Sequence, residues 1–320
     1  MSLAPRQGGE GSRVRGEVIS SGRGGMRRVC TATDLRSAVG AWRARQEGTR
    51  VAFVPTMGAL HEGHLSLVRR ARELAGRVVA SIFVNPAQFD EAADLERYPR
   101  TPERDAALLE SAGCDLLFLP DEATLYPPGH STWVVPEGPA EGLEGAHRPG
   151  HFRGVATVVL ALFELVRPDV AVFGEKDAQQ LAVVRRLVRD LHLAVEIAAG
   201  PTVREEDGLA LSSRNARLSP EERQAAAVLH RALRAGAAAA LDGTGANGPG
   251  ASAETVRRAL REALAAEPLA RVDYAEVVDA ESFRPIAGRL AGEVILPIAV
   301  WIGETRLIDN LRLRLDDRRA

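Results

Sequence analysis

Two histidines that follow a buried apolar run are the residues of this chain with the clearest capacity for chemistry. His61 and His64 stand three residues apart, just after the apolar residues 51–54 and a Pro-Thr-Met-Gly turn. A buried strand that leads through a glycine-containing loop into a helix is where open α/β sheets bind ligands. The N-terminus of such a helix offers unpaired N–H groups and a positive dipole end, which suit a phosphate. Residues 57–64 are therefore predicted to hold the polyphosphate of a nucleotide.

The histidine pair has three interpretations. Helical zinc sites of the H-E-x-x-H type have histidines four residues apart, whereas His61 and His64 are three apart, which disfavours a metal site. A structural interpretation has one histidine capping the helix and the other packed inside. The functional interpretation, which we favour, has both imidazoles donating hydrogen bonds to phosphate oxygens. They would stabilise the charge that builds up on a phosphorus centre and on a departing pyrophosphate.

A lysine and an arginine in two later segments extend the predicted phosphate site. Gly174 ends an apolar run and allows close backbone approach, Lys176 suits a phosphate, and Asp177 suits ribose hydroxyls or a helix cap. Residues 211–214, Leu-Ser-Ser-Arg, place two small hydroxyls beside an arginine, as a mobile phosphate-binding lid does. Each segment also has a simpler interpretation, namely a capped helix with a surface lysine and an ordinary Ser-Arg turn.

Amide side chains follow the predicted sheet edge as well. Asn85 and Gln88 come after the second predicted strand, and Gln180 lies one turn into a later helix. Neutral amides bind hydroxyls and carboxylates without adding charge. The loop that carries Arg148 and His151 is either part of the same site or a plain connector with solvated charges.

Composition, charge and missing motifs argue against several classes of protein. With a net charge of -2, the chain has no excess of positive charge with which to neutralise a nucleic-acid backbone. Its apolar runs are shorter than the roughly 20 residues that a membrane span needs. The two cysteines, Cys30 and Cys114, are far apart and fit a reducing compartment better than a disulfide framework. Without a P-loop or a G-x-G-x-x-G motif after the first strand, a P-loop kinase and a nicotinamide dehydrogenase also lose support.

The predicted elements point to an α/β fold with a second, smaller domain. Up to residue 202, strands alternate with helices, which implies a mostly parallel sheet that helices cover on both faces. The predicted strands are 51–54, 78–84, 115–119, 170–173 and 194–197, and the predicted helices are 35–42, 67–75, 102–112, 153–166 and 178–191. Thr33 or Asp34 is the expected cap of the first helix. Residues 127–149 are predicted to be a loop, apart from a short strand-like run at 132–135.

After residue 202 the pattern changes. Ser219, a following proline and Glu222 form an N-cap and capping box for an Ala-rich helix that is predicted to reach residue 241. A helix at 253–266 and strands at 272–278, 293–301 and 306–315 follow, the last two joined by a turn at Gly303-Glu304. We therefore predict an α/β domain at 27–202 and a smaller α+β domain with a short antiparallel sheet at 203–315.

The two ends of the chain are predicted to lie outside these domains, as a disordered extension at 1–26 and a tail at 316–320. The first 25 residues are rich in Gly, Ser and Arg without a hydrophobic period, and they lack the continuous apolar core of a secretory signal. A non-structural extension, or translation that begins at Met26, is the favoured interpretation. A transit peptide is the alternative.

Taken together, these segments closely resemble those of the pantoate–β-alanine ligase family, within a wider superfamily of histidine-motif nucleotidyltransferases. The histidine pair alone would indicate only the superfamily, whereas the combination is specific. The matching segments, spread over about residues 27–315, are Pro55-Thr56-Met57-Gly58-Ala59-Leu60-His61-Glu62-Gly63-His64, Phe83-Val84-Asn85-Pro86 with Gln88-Phe89, Tyr98-Pro99-Arg100-Thr101, Arg148-Pro149-Gly150-His151-Phe152, Phe173-Gly174-Glu175-Lys176-Asp177 with Gln179-Gln180, and Arg204-Glu205 through Ser212-Ser213-Arg214-Asn215.

The resemblance implies a two-step ligation on a Rossmann-like domain with a smaller C-terminal domain. The carboxylate of (R)-pantoate attacks the α-phosphorus of ATP, which gives pantoyl adenylate and pyrophosphate. The amine of β-alanine then attacks the activated carbonyl, and pantothenate and AMP are released. The family pattern further implies Mg²⁺ with the nucleotide and a cytoplasmic homodimer. The expected partners are the small-molecule substrates ATP, pantoate and β-alanine, and the charge and the short apolar runs argue against a nucleic acid or a membrane.

The family pattern also implies residue roles. His64 takes the proton-donor position, and His61, Lys176 and Arg214 act with it. Gln88 and Gln180 hold pantoate, and Gln88 also contacts β-alanine. No metal ligand is assigned. The residues implied to bind ATP are Met57, Gly58, Ala59, Leu60, His61, Glu62, Gly63, His64, Gly174, Glu175, Lys176, Asp177, Val203 at the adenine, and Leu211, Ser212, Ser213 and Arg214 at the phosphates.

Two positions depart from the family pattern. Ala178 replaces the usual aromatic, so looser packing is expected beside Lys176. Arg104 stands where some members have a second acid, which weakens metal ligation by Asp105 and leaves a helix-face carboxylate as the favoured interpretation of Asp105.

Two rival functions belong to different classes. One is another adenylate-forming enzyme that uses a different acid. Gln88 and Gln180 favour a small hydroxy acid instead, and the lack of a basic surface disfavours tRNA. The other rival is a non-catalytic nucleotide-binding protein, which would be expected to have lost a phosphate ligand, yet both histidines, Lys176 and Arg214 are present.

Overall fold

The computed structural model describes residues 25–90, 92–242 and 251–315. Within these residues, the first sheet has six parallel strands in the order β1-β4-β3-β2-β5-β6. Apart from the edge strand β1, this is the order of a doubly wound sheet, and it switches direction between β2 and β5. The strands are β1 (Arg27–Val29), β2 (Val51–Thr56), β3 (Arg77–Ile82), β4 (Leu116–Phe118), β5 (Val170–Gly174) and β6 (Glu196–Gly200).

Helices cover both faces of this sheet. Alternate residues of a strand point to opposite faces. Phe53 belongs to a buried apolar cluster with residues of α1, α7 and α8, whereas Ala52 and Val54 belong to a cluster with residues of α2 and α4. The predicted parallel sheet with two covered faces is therefore confirmed. The helices are α1 (Ala32–Arg45), α2 (Glu62–Leu74), α3 (Ala92–Arg97), α4 (Pro102–Ser111), α5 (Glu122–Leu125), α6 (Leu143–His147), α7 (His151–Val166) and α8 (Ala178–Asp190).

Short elements account for most differences from the sequence-based prediction. Strand β1 and helix α6 were not predicted, because three and five residues are too few to show a hydrophobic period. The expected run at 132–135 forms no strand. Helix α1 begins earlier than predicted, since Thr31 is the N-cap and its Oγ1 accepts a hydrogen bond from the Asp34 backbone N–H at 3.1 Å.

The second sheet is antiparallel and is built around one long strand. Strand β9 (Gly292–Ile302) pairs with β7 (Ala270–Ala275), β8 (Val278–Asp279) and β10 (Thr305–Leu315). The β9–β10 hairpin turns at Gly303, with φ +57°, which confirms the predicted turn. The predicted strand at 272–278 is instead two short strands in one register with β9, because the ladder is interrupted opposite Pro297, which accepts from the Glu276 N–H but has no N–H to donate in return.

Three helices pack on this second sheet and enclose an apolar core of their own. They are α9 (Pro220–Ala226), α10 (Val228–Asp242) and α11 (Ala253–Ala265). The predicted capping box is confirmed, since Ser219 and Glu222 each accept a hydrogen bond from the backbone N–H of the other. The helix predicted to run on to residue 241 is interrupted at Ala227, whose N–H binds the Gln224 carbonyl in a tighter turn.

The ends of the described chain bear on the predicted boundaries. Residues 1–24 and 316–320, which belong to the predicted extension and tail, lie outside the described residues. Met26 is buried, and its N–H donates to Glu110 at 2.9 Å. The predicted boundary near residue 202 stays a prediction. Across the described ranges, no helix is long and apolar enough to cross a membrane.

Candidate active site

The switch point between β2 and β5 brings two predicted phosphate-binding segments to one cleft. Residues 57–61 follow β2 and lead into α2, and a single 3-10 turn, Glu175–Asp177, follows β5 and leads into α8. Both segments line the same cavity. Open α/β sheets bind ligands at the carboxyl ends of their strands, at such a switch point.

A buried carboxylate shapes the loop after β2. Gly58 and Ala59 have φ of +85° and +51°, a conformation that glycine adopts readily and that strains alanine. Asp105 of α4 stabilises this turn, since its two carboxylate oxygens accept hydrogen bonds from the N–H groups of Ala59 and Leu60, each at 2.9 Å. Both oxygens of Asp105 are thus bound to backbone, which favours a role in fixing this loop over metal ligation.

The two histidines form a capping box at the start of α2. His61 is the N-cap, and its Nδ1 accepts from the Gly63 N–H at 3.2 Å, while His64 Nδ1 accepts from the His61 N–H at 3.3 Å. The ring centroids are 4.1 Å apart. A ring nitrogen that accepts a hydrogen bond carries no proton, so each neutral imidazole is protonated at Nε2. Both residues line the cavity, so capping and ligand contact are compatible.

Electrostatics keep both imidazoles neutral. Burial, together with the neighbouring His61, lowers the pKa of His64 to about 3. Burial, with the positive charge of Lys176, also lowers the pKa of His61. At neutral pH the pair therefore presents Nε2–H donors without a permanent charge.

Lys176 and Asp177 stand at the entrance of α8. Lys176 Nζ lies 3.6 Å from Asp177 Oδ1, and the lysine side chain is mostly covered whereas the aspartate is half exposed. Desolvation opposes ionisation of Asp177, but the positive charges of Lys176 and Arg214 outweigh it and hold its pKa below the usual value. The turn thus presents an ammonium and an ionised carboxylate side by side.

Arg214 reaches the same cavity from the segment after β6. It lies in a 3-10 turn, Ser213–Arg217, and its N–H donates to Ser212 Oγ at 3.2 Å. The guanidinium groups of Arg214 and Arg217 lie 3.6 and 3.4 Å from the carboxylate of Asp94, which comes from α3. Two arginines share one carboxylate, which leaves net positive charge at the cavity wall.

A small hairpin supports the Ser-Arg turn. The Leu211 N–H donates to the Val203 carbonyl at 3.0 Å, and Arg204 forms a β-bridge with Ala210. Asn215 Nδ2 then donates to the Ala210 carbonyl at 3.1 Å and ties the turn to the hairpin. The Ser-Arg turn is therefore an extension of an ordered hairpin, and not an isolated surface turn.

The amide of Gln88 is held from two sides. Its Oε1 accepts from Asn85 Nδ2 at 2.9 Å, and its Nε2 donates to Met57 Sδ at 3.1 Å. Asn85 is itself fixed, since Nδ2 also donates to the Gly154 carbonyl at 3.2 Å. Gln88 Nε2 retains a second N–H for a ligand. Gln180, on α8, lines the same cavity.

The loop before α7 binds the backbone of the Gln88 turn. Arg148 donates to the Gln88 carbonyl at 3.1 Å, and His151 Nδ1 lies 2.9 Å from the same oxygen. Burial, with the adjacent Arg148, lowers the pKa of His151 to about 4, so the neutral ring donates this bond. These contacts favour a place in the site for this loop over the alternative of a plain connector.

The predicted site residues divide into two groups. The cavity, of about 250 Å³, is lined by Met57, His61, Gly63, His64, Gln88, Gly174, Lys176, Asp177, Gln180, Val203, Leu211, Ser212, Ser213 and Arg214. Five others implied to bind ATP lie outside this lining, namely Gly58, Ala59, Leu60, Glu62 and Glu175. An adjoining cavity of about 230 Å³ shares Lys176, Asp177 and Arg214 with it and extends toward β10.

Sequence reasoning assigned no role to several lining residues. Tyr98 and Arg217 line the cavity, and an apolar floor comes from Val155, Val158, Val159 and Leu162 of α7. Arg217 was detectable as a second arginine in the Ser-Arg turn. The apolar residues of α7 were not detectable as lining residues, because their spacing in the sequence is the same whether the helix face covers a sheet or a ligand.

The remaining departures are structural. Ala178 is buried in a small cluster with Phe283 and Ile295, and it also lines the adjoining cavity beside Lys176, so the expectation of looser packing there stays a prediction. Arg104 is exposed on α4. Among the described residues, no group of three or more His, Cys, Asp or Glu side chains is arranged to hold a metal ion.

The fold is Rossmann-like, and its cleft at the switch point of the sheet gathers two neutral histidines, a lysine and an arginine. Such a set of side chains is suited to a polyphosphate-bearing substrate. The sequence profile described as pantoate-beta-alanine ligase matches residues 27–312. The chain therefore belongs to the pantoate–β-alanine ligase family, a family of ATP-binding ligases in pantothenate biosynthesis.

Individual relatives agree with this assignment. The pantothenate synthetase of Heliobacterium modesticaldum is 54% identical over 273 residues, which cover 85% of this chain and 95% of the relative. The crystal structure of pantothenate synthetase from Thermus thermophilus has 53% identity and a TM-score of 0.80, covering 89% of this chain and 99% of that one. A pantoate-beta-alanine ligase from Francisella tularensis, described as complexed with beta-gamma ATP and beta-alanine, has 32% identity and a TM-score of 0.71, with coverage of 89% and 97%.

Proposed function

We propose that this enzyme condenses (R)-pantoate with β-alanine at the expense of ATP, through a pantoyl-adenylate intermediate, and releases AMP and diphosphate. The observation that carries the proposal is the convergence of His61, His64, Lys176 and Arg214 on one cavity that also contains the amides of Gln88 and Gln180. Membership of the ligase family supports it, as do the nucleotide and the β-alanine bound to the Francisella tularensis enzyme.

In the first step, a carboxylate oxygen of pantoate attacks the α-phosphorus, and the bond to the bridging oxygen of the diphosphate breaks. An in-line displacement spreads charge over several oxygens, so positioning and cations do most of the work. Lys176 and Arg214 supply the cations, and the neutral histidines supply Nε2–H donors at the N-terminus of α2. Hydrogen bonds that strengthen as charge develops lower the barrier.

In the second step, the amine of β-alanine attacks the acyl carbonyl, loses a proton, and expels AMP as the carbon–oxygen bond breaks. Gln88 holds pantoate and contacts β-alanine, and Gln180 of α8 also holds pantoate. The acyl adenylate must be kept from water while the amine arrives. The Ser-Arg turn and its hairpin are suited to cover it.

Mg²⁺ enters this proposal as part of the nucleotide substrate. Such an ion usually keeps several waters and takes one or two protein carboxylates besides phosphate oxygens. Asp177 fits this pattern, because its half-exposed carboxylate lines the cavity.

We further propose a cytoplasmic homodimer with the domain boundary near residue 202. Cys30 and Cys114 are both free thiols, which is compatible with a reducing compartment. Light scattering on the purified protein is expected to give twice the chain mass of 34.3 kDa, and a value equal to one chain would contradict the dimer.

An omission assay tests the ligase reaction against both rivals. AMP formation from ATP is expected only when pantoate and β-alanine are both supplied. Turnover with another acid in place of pantoate would favour a different adenylate-forming enzyme. ATP binding without any turnover would favour a non-catalytic protein.

A further inference from the structure

Strand β10 contacts the turn that carries Lys176 and the hairpin that supports the turn with Arg214. On one side, Asn310 Nδ2 donates to the carbonyls of Glu175 and Lys176, each at 2.9 Å. On the other side, the two carboxylate oxygens of Asp309 accept from Arg204 at 2.6 and 3.0 Å. Both β10 residues are buried, with 7% of Asn310 and 2% of Asp309 exposed.

The contact with the lysine turn is suited to hold it in place. The turn Glu175–Asp177 is a single 3-10 turn, so it has few hydrogen bonds of its own. An amide nitrogen carries two N–H groups, and Asn310 can direct one to each carbonyl. The backbone on both sides of the Lys176 Cα is thereby fixed by a residue that lies 134 positions later in the chain.

The contact with the arginine turn acts through the supporting hairpin. Arg204 also donates to the Gly208 carbonyl at 2.9 Å, so the guanidinium joins both arms of the hairpin to Asp309. The hairpin holds the Ser213–Arg217 turn through Asn215, as described above. Asp309 and Asn310 are joined directly, since the Asn310 N–H donates to Asp309 Oδ1 at 2.7 Å.

We propose that Asp309 and Asn310 are positioning residues that fix the Lys176 turn and the Arg214 turn relative to each other for the adenylation step. The inference rests on the proposed function, because it assigns these residues a task in the same reaction. Neither residue needs to touch the reacting atoms. A displacement of about 1 Å in a catalytic group is enough to cost roughly 100-fold in rate.

A double-mutant cycle on the full-length enzyme tests this proposal. Asn310→Ala is expected to lower kcat/KM for ATP in pantoate-dependent pyrophosphate exchange by about 10- to 100-fold, the range for two lost hydrogen bonds and a displaced lysine. In a Lys176→Ala background the same change is expected to cost less than about 3-fold, because residues that act through one another are not additive.

Controls separate positioning from a loss of folding or of the function itself. Asn310→Ser keeps one donor and is expected to lie between wild type and Asn310→Ala. Arg312 lies on β10 with Asn310, and Arg312→Ala removes its exposed ion pair with Glu293 of β9. This variant is expected to leave pyrophosphate exchange unchanged. All variants are compared by thermal unfolding, and Asn310→Ser takes the place of Asn310→Ala in the double-mutant cycle if Asn310→Ala unfolds at the assay temperature.

The possible results are distinguishable. If the wild type shows no pantoate-dependent exchange, the proposed function fails. If the wild type is active but Asn310→Ala and Asn310→Ser match it within about 2-fold, well short of the loss that a displaced lysine predicts, the positioning role fails. An equal loss in the Lys176→Ala background would also overturn it, because Asn310 would then act independently of the lysine.

Discussion

Substitutions at His64 are expected to separate its two tasks. The Nδ1 atom accepts the His61 N–H at 3.3 Å and helps to cap α2, while Nε2–H is the donor available to a ligand. His64→Asn places an amide oxygen near the Nδ1 position but has no donor at the Nε2 position. His64→Ala removes both. We expect both variants to lose about 100-fold or more in adenylation rate, the range for one transition-state donor.

The stability of the two variants is expected to differ although their activities are similar. Loss of the capping contact in His64→Ala costs about 1 kcal/mol of unfolding free energy, and His64→Asn retains most of it. Pantoate-dependent pyrophosphate release and urea unfolding measure the two quantities. Near-normal pyrophosphate release by His64→Asn would refute the donor role. Equal stability of the two variants would refute the capping role.

Three further predictions concern stability. The folded-state pKa values of His64 and His151, about 3 and about 4, lie below those of the unfolded chain, so the unfolded state binds more protons. The unfolding free energy is therefore expected to fall as the pH drops from about 6.5 to 4. Urea titrations that show no loss of stability over this range would contradict this prediction. Glu144→Gln breaks a buried ion pair with Arg306 and is expected to cost about 3 kcal/mol or more in urea unfolding. Glu281→Gln, in an exposed pair with Arg189, is the control and is expected to cost much less. Equal costs would refute the reasoning. Asp105→Asn leaves one amide oxygen to accept from two N–H groups. The variant is expected to bind ATP more weakly and to lose about 1 to 3 kcal/mol of unfolding free energy. A calorimetric ATP affinity equal to that of the wild type would contradict the effect on binding.

The long elements were predictable from the sequence because their physical signals are local. The apolar run at 51–54 predicts a strand and the apolar face of α7 predicts a helix, whatever other elements pack against them. Glycine and the capping residues marked the turn at Gly303 and the start of α9. The short elements β1 and α6 depend on the partners they pack against. Their own residues are too few to show a hydrophobic period, so the sequence did not predict them.

The candidate site shows the same division. The types of His64, Lys176 and Arg214 suggest phosphate chemistry wherever they lie, and the resemblance to the ligase family related them to one another. The tasks of Asp105 and Asn310 were not predictable, because each acts through hydrogen bonds to backbone groups that are distant in the chain. The sequence shows which donors, acceptors and charges a side chain carries, while the fold determines which groups those atoms bind.

The most direct test of the proposed reaction follows oxygen atoms. Pantoate labelled with ¹⁸O in its carboxylate is incubated with the enzyme, ATP and β-alanine, and the products are examined by mass spectrometry. Attack of the carboxylate on the α-phosphorus predicts that one labelled oxygen appears in AMP for each pantothenate formed. The other labelled oxygen stays in the amide of pantothenate whichever phosphorus is attacked. Unlabelled AMP with the lost label in diphosphate, or labelled phosphate released together with ADP, would contradict a pantoyl-adenylate intermediate.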